Sequence, residues 1–319
     1  MDIQRSLEIL NILKPTDNMF YSPISLGMAL SLYSKIIEDG AAKNEIKEFV
    51  GQDYSNYRVR AYSYNIQNVL WLDKRKNFDT SSIPFMVREI DMSNPKATQI
   101  KNMFVNEFSN GFMKSTPTEF NDLTVMDLMN IVYFNDTWNC GKLSSDDVQS
   151  TFHNFDGTTT AVKYLKYSAE YYFENDTCYI VPLRYSSGLN CYMVYPKNDI
   201  IDVDLSVHNI VRNEIKVKFP GFESTVNFDV TDFTSKLGMP SFSDSILTFD
   251  KEFSIPCITH SAKINVNAHG TEAAAVTEIC RSRGISFDKP KELVFDKPFL
   301  YFISDGNDDT LFMGRLAKL

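Results

Sequence analysis

Histidine is scarce in this chain, and the usual catalytic and nucleotide-binding signatures are missing. Only four histidines occur among 319 residues: His153, His208, His260 and His269. No HExxH, GxSxG, GxxxxGK[ST] or GxGxxG is present, which leaves hydrolytic and nucleotide chemistry without its usual apparatus. The five cysteines (Cys140, Cys178, Cys191, Cys257 and Cys280) are odd in number and scattered. With no CxxC and no Cys/His cluster, they predict neither a disulfide framework nor a zinc site. A basic surface is also lacking. The net charge is −9, and no Lys/Arg stripe with interleaved aromatics runs along the chain, which argues against nucleic acid as a partner. No apolar run is long enough to cross a bilayer, so no membrane association is expected. The N-terminal stretch from Met1 to Ser6 has no basic segment leading into an apolar one. Without a leader, a cytoplasmic location in the producing or infected cell is expected, with an extracellular one as the alternative, and the sequons at Asn135 and Asn175 read as chance.

What is present is an aromatic-rich globular composition, with 24 Phe and 16 Tyr, 43% hydrophobic and 23% charged residues. Helical spacing covers residues 2–13. Ser22-Pro23 suits a capped helix start. Further helices are expected over 42–49, over 98–112 on a stripe of Ile100, Phe104, Phe108 and Phe112, over 230–237, and briefly from Phe85. Strands are expected at 68–72, at 128–134 as a central strand, repeatedly through 150–196, at 215–219, and at 292–295, 299–303 and 311–313. Helices lie early and strands late without βαβ alternation, which predicts an α+β fold. No linker or repeat divides the chain, so residues 1–319 read as one domain.

The most informative stretch is Gly270-Thr271-Glu272-Ala273-Ala274-Ala275-Val276-Thr277, which follows a strand pattern at 262–267 and leads to a tip, Arg281-Ser282-Arg283-Gly284. Small residues and threonine alternate here, a pattern compatible with both a loop and a strand. His260, inside its own strand pattern, reads as a hydrogen-bonded core residue rather than a base.

Several motifs, in order and over nearly the whole chain, resemble the serpin family. They are Asn18-Met19-Phe20-Tyr21-Ser22-Pro23, Met129-Asn130-Ile131-Val132-Tyr133-Phe134 followed by Trp138, Ile258-Thr259-His260-Ser261-Ala262 followed by the 270–275 run, Asp296-Lys297-Pro298-Phe299, and Leu311-Phe312-Met313-Gly314-Arg315. The resemblance implies three β-sheets, seven to nine helices and an exposed reactive loop over about 268–290. It implies no enzyme and no cofactor, but a monomeric inhibitor. A target serine protease cuts the loop, is held as an acyl-enzyme, and is trapped when the loop enters the central sheet as a strand. Gly270 to Thr277 would form the hinge. Ser22, Ser25, Asn130 and His260 match a buried "shutter" beneath that sheet, and Trp138 its upper "breach". In the inserted strand, Thr271, Ala273, Ala275, Thr277 and Ile279 would face the core, and Glu272, Ala274, Val276, Glu278 and Cys280 the solvent.

The basic tip suits a trypsin-like, arginine-directed protease. The family's usual loop length puts the scissile bond after Gly284; a loop one residue shorter puts it at Arg283-Gly284. Arg283-Gly284 is preferred, with Arg281-Ser282 as runner-up, and the absence of an aspartate at the tip disfavours caspases. The short 51–66 region and absent leader resemble the poxviral members, which suggests a viral modulator of host proteases. The same short region, with no room for a fourth helix, argues against heparin as a partner. One departure stands out. Ala268 occupies a position usually acidic, with His269 after it, so an ion pair at the top of the central sheet is expected to be lost. A non-inhibitory binding protein, or a mere protease substrate, is the alternative.

Overall fold

Ser22 caps the second helix as its place before Pro23 predicts. In the computed structural model its hydroxyl accepts the Ser25 N–H at 3.1 Å, and Pro23 occupies the first helical turn. The structure describes the chain except residues 15, 58–62, 117, 207, 250–256, 272–289 and 306–308. Its helices are α1 (Ile3–Leu13), α2 (Pro23–Ile36), α3 (Ala41–Val50) and α4 (Ala97–Phe108). Asp2 caps α1 through the Arg5 N–H, and Gly51 at φ 75° ends α3, where a side chain would be strained.

One sheet runs β1 (Met19–Tyr21), β20 (Thr310–Leu316), β19 (Phe299–Ser304), β12 (Asn190–Pro196), β11 (Cys178–Arg184), β10 (Tyr172–Glu174), β13 (Asn209–Val211). The central sheet runs β3 (Val87–Ile90), β2 (Tyr64–Asp73), β4 (Met126–Phe134), β16 (Cys257–Val266), β17 (Gly270–Thr271), β5 (Asp136–Thr137), with β15 (Phe222–Asp229) along the other edge of β16. A four-stranded sheet orders β18 (Lys291–Val294), β14 (Ile215–Pro220), β9 (Tyr164–Ala169) and β6 (Ser144–Ser145), and β7 (Ser150–His153) pairs with β8 (Thr159–Val162) as a hairpin.

The α+β arrangement therefore has four sheets and, among the described residues, four helices of seven residues or more, which corrects the expected three sheets and seven to nine helices. The physical reasons are local. Between α3 and β2 the described residues 51–57 and 63 form turns and coil. Val230–Phe233 and Pro240–Asp244 make only 3₁₀ turns. Val87–Ile90 is a strand paired with β2, with no helix before it. The expected 161–165 strand is split, with Thr159–Val162 folded back on β7 and Tyr164–Ala169 on β14.

Strand β4 is buried along its whole length, because the two faces of its period-two pattern pack against different layers. Leu128, Val132 and Phe134 enter the main core. On the other face, Met129, Ile131 and Tyr133 join Val69 and Trp71 of β2 and Val105 of α4 in a second apolar cluster. Helix α4 ends at Phe108 and buries the stripe read from sequence only in part: Phe104 and Phe108 pack against this cluster and Phe112 joins it just past the helix. Ile100 is 47% exposed, and the buried row is Ala97, Lys101 and Val105.

Lys101 is fully buried and pairs with the equally buried Asp127 of β4 at 3.1 Å. Its ammonium also donates to the Thr118 carbonyl and lies 4.2 Å from the Phe120 ring centre. Burial raises the Asp127 carboxyl, an effect partly offset by Lys101. Breaking such a pair strands a charge in the core, whereas replacing both partners by apolar groups need not. Lys101→Met is expected to cost about 3–5 kcal/mol in urea unfolding, and Lys101→Met with Asp127→Leu to recover most of it. An equal loss in both variants would contradict this reading.

Candidate functional site

Two parallel strands, β4 and β16, meet along the middle of the central sheet. Their register runs from Asp127 opposite Cys257 to Val132 opposite Ala262. Above that row they part, and the opening is entered from the top by β17. Thr271 pairs with Val266 on one side and with Asp136 on the other, antiparallel to both. The first two residues of the expected hinge, Gly270 and Thr271, thus already form a strand. Gly270 is required there by close approach: a Cβ would lie 2.7 Å from the Thr137 Cα and overlap the Asp136 carbonyl.

Thr271 is fully buried, and its hydroxyl shares a 2.6 Å hydrogen bond with the Tyr185 hydroxyl. The Tyr185 ring stacks on Trp138, with centroids 4.7 Å apart and planes 12° apart. The Trp138 indole N–H donates to the Asn267 carbonyl at 2.9 Å, and its backbone N–H donates to the His269 carbonyl at 3.1 Å. Trp138 therefore clamps the hairpin that turns β16 into β17. The Ala268 carbonyl is held as well, accepting the Leu143 N–H at 2.7 Å. The ion pair expected to be lost with Ala268 has a counterpart lower down. Lys263 of β16 reaches Glu223 of β15 at 2.8 Å. Glu223 is half exposed, so the pair itself is worth little.

Below the opening lies a buried polar row. Asn68 on β2, Asn130 on β4 and His260 on β16 stand directly opposite one another in register. The His260 Nε2 accepts the Ser22 backbone N–H at 3.3 Å, which places the ring proton on Nδ1, 2.6 Å from the Asn130 Oδ1. That oxygen is therefore the acceptor, and the Asn130 amide donates to the Asn68 Oδ1 at 2.8 Å and to Ser25. The Ser22 hydroxyl closes the set against the Tyr64 hydroxyl at 2.7 Å. The four residues expected here, Ser22, Ser25, Asn130 and His260, are brought together, and Asn68 and Tyr64 join them.

Burial pulls the His260 pKa down to about 3, so the ring is neutral in the fold. The unfolded chain takes up this proton below pH about 6.5, and the folded chain does so only near 3. The stabilising contribution is complete above about 6.5 and is lost as pH falls towards 3. It should diminish by about 2 kcal/mol between pH 7 and pH 5. Urea unfolding of His260→Gln, itself less stable, should show that much less loss over the same range; an unchanged slope would contradict the assignment.

A family model described as serpin (serine protease inhibitor) matches residues 4–319. The chain belongs to the serpin family. An uncharacterized serpin-like protein of Thermococcus kodakarensis is 26% identical over 95% of this serpin and 81% of that protein. Serpin-ZX of Arabidopsis thaliana is 24% identical over 97% and 94%. Serpin48 of the insect Tenebrio molitor superposes with a TM-score of 0.82 at 20% identity, over 99% of this chain and 96% of that one. The family is described as serine protease inhibitors, and its members are not enzymes.

The serpin's remaining expected site residues lie outside the described residues: Glu272, Ala273, Ala274, Ala275, Val276 and Thr277 of the hinge, and Arg281, Ser282, Arg283 and Gly284 of the tip. Among the described residues, Cys178 and Cys191 are free thiols. Burial raises Cys191 to about 12, which makes it an unreactive core residue. The Asn175 amide is tied to the Asp204 carbonyl at 2.7 Å while its oxygen caps Thr177 and Cys178, so it serves a turn.

Sequence reasoning missed Asn68, Tyr64, Tyr185 and the Lys101–Asp127 pair. Asn68 carried a signal, as the polar end of an otherwise apolar strand run. So did Asp127, a lone charge inside Val125–Met129. Tyr64 and Tyr185 carried none, because strand tyrosines are ordinary core residues.

Proposed function

We propose that this serpin is a suicide inhibitor of a trypsin-like serine protease, cut at Arg283-Gly284. The observation that carries the reading is β17. Its two residues already occupy the mouth of the β4–β16 seam, in antiparallel register with β16 on one side and with β5, which follows β4, on the other.

Continuing that register downward gives each following residue an address. Ala275 would lie between Val132 and Ala262, Thr277 between Asn130 and His260, and Cys280 between Asp127 and Cys257. The incoming strand exchanges one parallel ladder for two antiparallel ones, which are slightly more stable per residue. Its core-facing positions carry Thr, Ala, Ala and Thr through residue 277, small enough to enter a packed interior at little cost. The outward positions differ from the sequence expectation. In this seam they would pass beneath α4 and the segment after it rather than face open solvent.

The chemistry belongs to the protease. Its serine attacks the Arg283 carbonyl, the Gly284 amine leaves, and insertion carries the acyl-enzyme away before water releases it. Thirteen extended residues from Thr271 to Arg283 span roughly 43 Å, enough to carry the enzyme along the sheet. The native state is then a kinetic trap rather than the free-energy minimum.

The finer reading, a viral modulator of host proteases, rests on chain length and the short 51–66 region; the relatives above are archaeal, plant and insect. Incubation with a panel of arginine-directed proteases should give a covalent complex that survives SDS. Loop cleavage without any complex across the panel would overturn inhibition in favour of a substrate or binding protein.

A further inference from the structure

The two walls of the seam are held differently by the layer above them. The apolar cluster under α4 takes residues from β2 and β4, but no described side chain of β16. The row that β16 turns towards the same layer is polar: Thr259, Ser261 and Lys263. The Ser261 hydroxyl is buried and finds no partner among the described residues. The other two are each held by the segment after α4, residues 109–125. The Thr259 hydroxyl shares a 2.7 Å hydrogen bond with Thr118 and donates to the Asp127 Oδ1 at 3.4 Å, across the seam. Lys263 sits 4.6 Å from the Phe112 ring centre, and that ring packs 5.4 Å from Tyr133 of β4. On the β4 side, the same segment is anchored by Lys101, which donates to both Thr118 and Asp127.

We propose that Thr259 is the clasp of the seam, a positioning residue whose two hydrogen bonds, backed by the contact between Lys263 and Phe112, set how fast β4 and β16 separate. The inference rests on the insertion reading above. The geometry gives the reason. Admitting a strand moves the two walls from one strand spacing to two, an extra ~4.8 Å. Bonds of 2.7 and 3.4 Å that tie Thr259 to the β4 side cannot survive that displacement. The Lys101–Asp127 pair, the Thr118 carbonyl and the apolar cluster all lie on the β4 side and need not break. On this face, opening therefore costs a few replaceable polar contacts and no buried charge, added to the β4–β16 ladder and the His260–Asn130 bond that break on any opening. Asp127, bonded to Lys101, also keeps a charged partner after Thr259 leaves.

The test is annealing of a synthetic peptide with the sequence of residues 271–279 to the intact protein, followed on native gels, which needs no knowledge of the target protease. Thr259→Val is expected to anneal the peptide about tenfold faster than the parent protein. A variant of similar unfolding midpoint changed far from the seam, Leu300→Ala, should anneal at the parental rate, which separates a clasp from general loosening. A second variant carries Thr118→Cys and Thr259→Cys in a Cys257→Ser background. Oxidised, it should refuse the peptide; reduced, the same molecule should accept it. Equal rates for Thr259→Val and the parent, or free annealing to the oxidised form, would overturn the clasp. Failure of the parent protein to anneal, with no gain in thermal stability after loop cleavage, would instead overturn the insertion reading.

Discussion

Thr271→Arg is expected to turn the inhibitor into a substrate, cleaved in the loop by the target protease but no longer retaining it. Thr271 is fully buried against Tyr185, at the first core-facing position of the proposed strand. An arginine there, beside Asp136, could not fit against Tyr185 and the Trp138 stack without displacing them, and overpacking a buried site costs about 3 kcal/mol. Insertion and deacylation compete from the same acyl-enzyme, so a barrier raised by ~3 kcal/mol or more lowers the trapped fraction about a hundredfold. The intact fold should suffer little, because β17 is a two-residue strand at the mouth of the seam and can leave it. Gel analysis of protease mixtures reads the ratio of complex to cleaved chain. An unchanged ratio would contradict insertion at Thr271.

Arg283→Ala should abolish recognition itself. A trypsin-like pocket holds a buried acid that the loop's arginine must satisfy, and leaving it unpaired penalises the association step by a factor on the order of 10³ to 10⁴. Arg281→Ala should change the rate only a few-fold, as expected for a neighbouring contact at an interface rim. Mass spectrometry of the fragment released on complex formation checks the assignment. It should begin at Gly284. A fragment beginning at Ser282, with Arg281→Ala as the damaging variant, would move the scissile bond.

The legible parts of this protein were those where one residue type has one physical use. Ser22 before Pro23 could hardly be anything but a helix cap. The unbroken apolar run of β4 required burial on both faces, and the structure supplies two cores. The same sequence was misleading where a pattern had two solutions. Ile100, Phe104, Phe108 and Phe112 make a perfect four-residue stripe, yet α4 turns Ala97, Lys101 and Val105 fully inward, leaving Phe104 and Phe108 half-buried at the cluster's edge and Ile100 exposed. The helix count failed because it was carried by resemblance, and the short stretch between α3 and β2 does not follow it. In the shutter, Asn130 and His260 were found by motif. Asn68 and Tyr64 became visible only when strand register placed Asn68 in line with them and Tyr64 against Ser22. The approach to the hinge was incompletely read: Lys263 and Glu223 join β15 to β16, and backbone bonds from Leu143 and Trp138 hold the segment around Ala268.

The central claim is that the seam between β4 and β16 receives the loop that begins at Gly270. Thermal unfolding before and after a single cut in that loop tests it most directly, whichever protease makes the cut. The account predicts that the cleaved protein unfolds well above the intact one, by more than ~10 °C, the shift that several kcal/mol of new strand pairing gives in a domain of this size. An unchanged or lower midpoint after complete cleavage would contradict it.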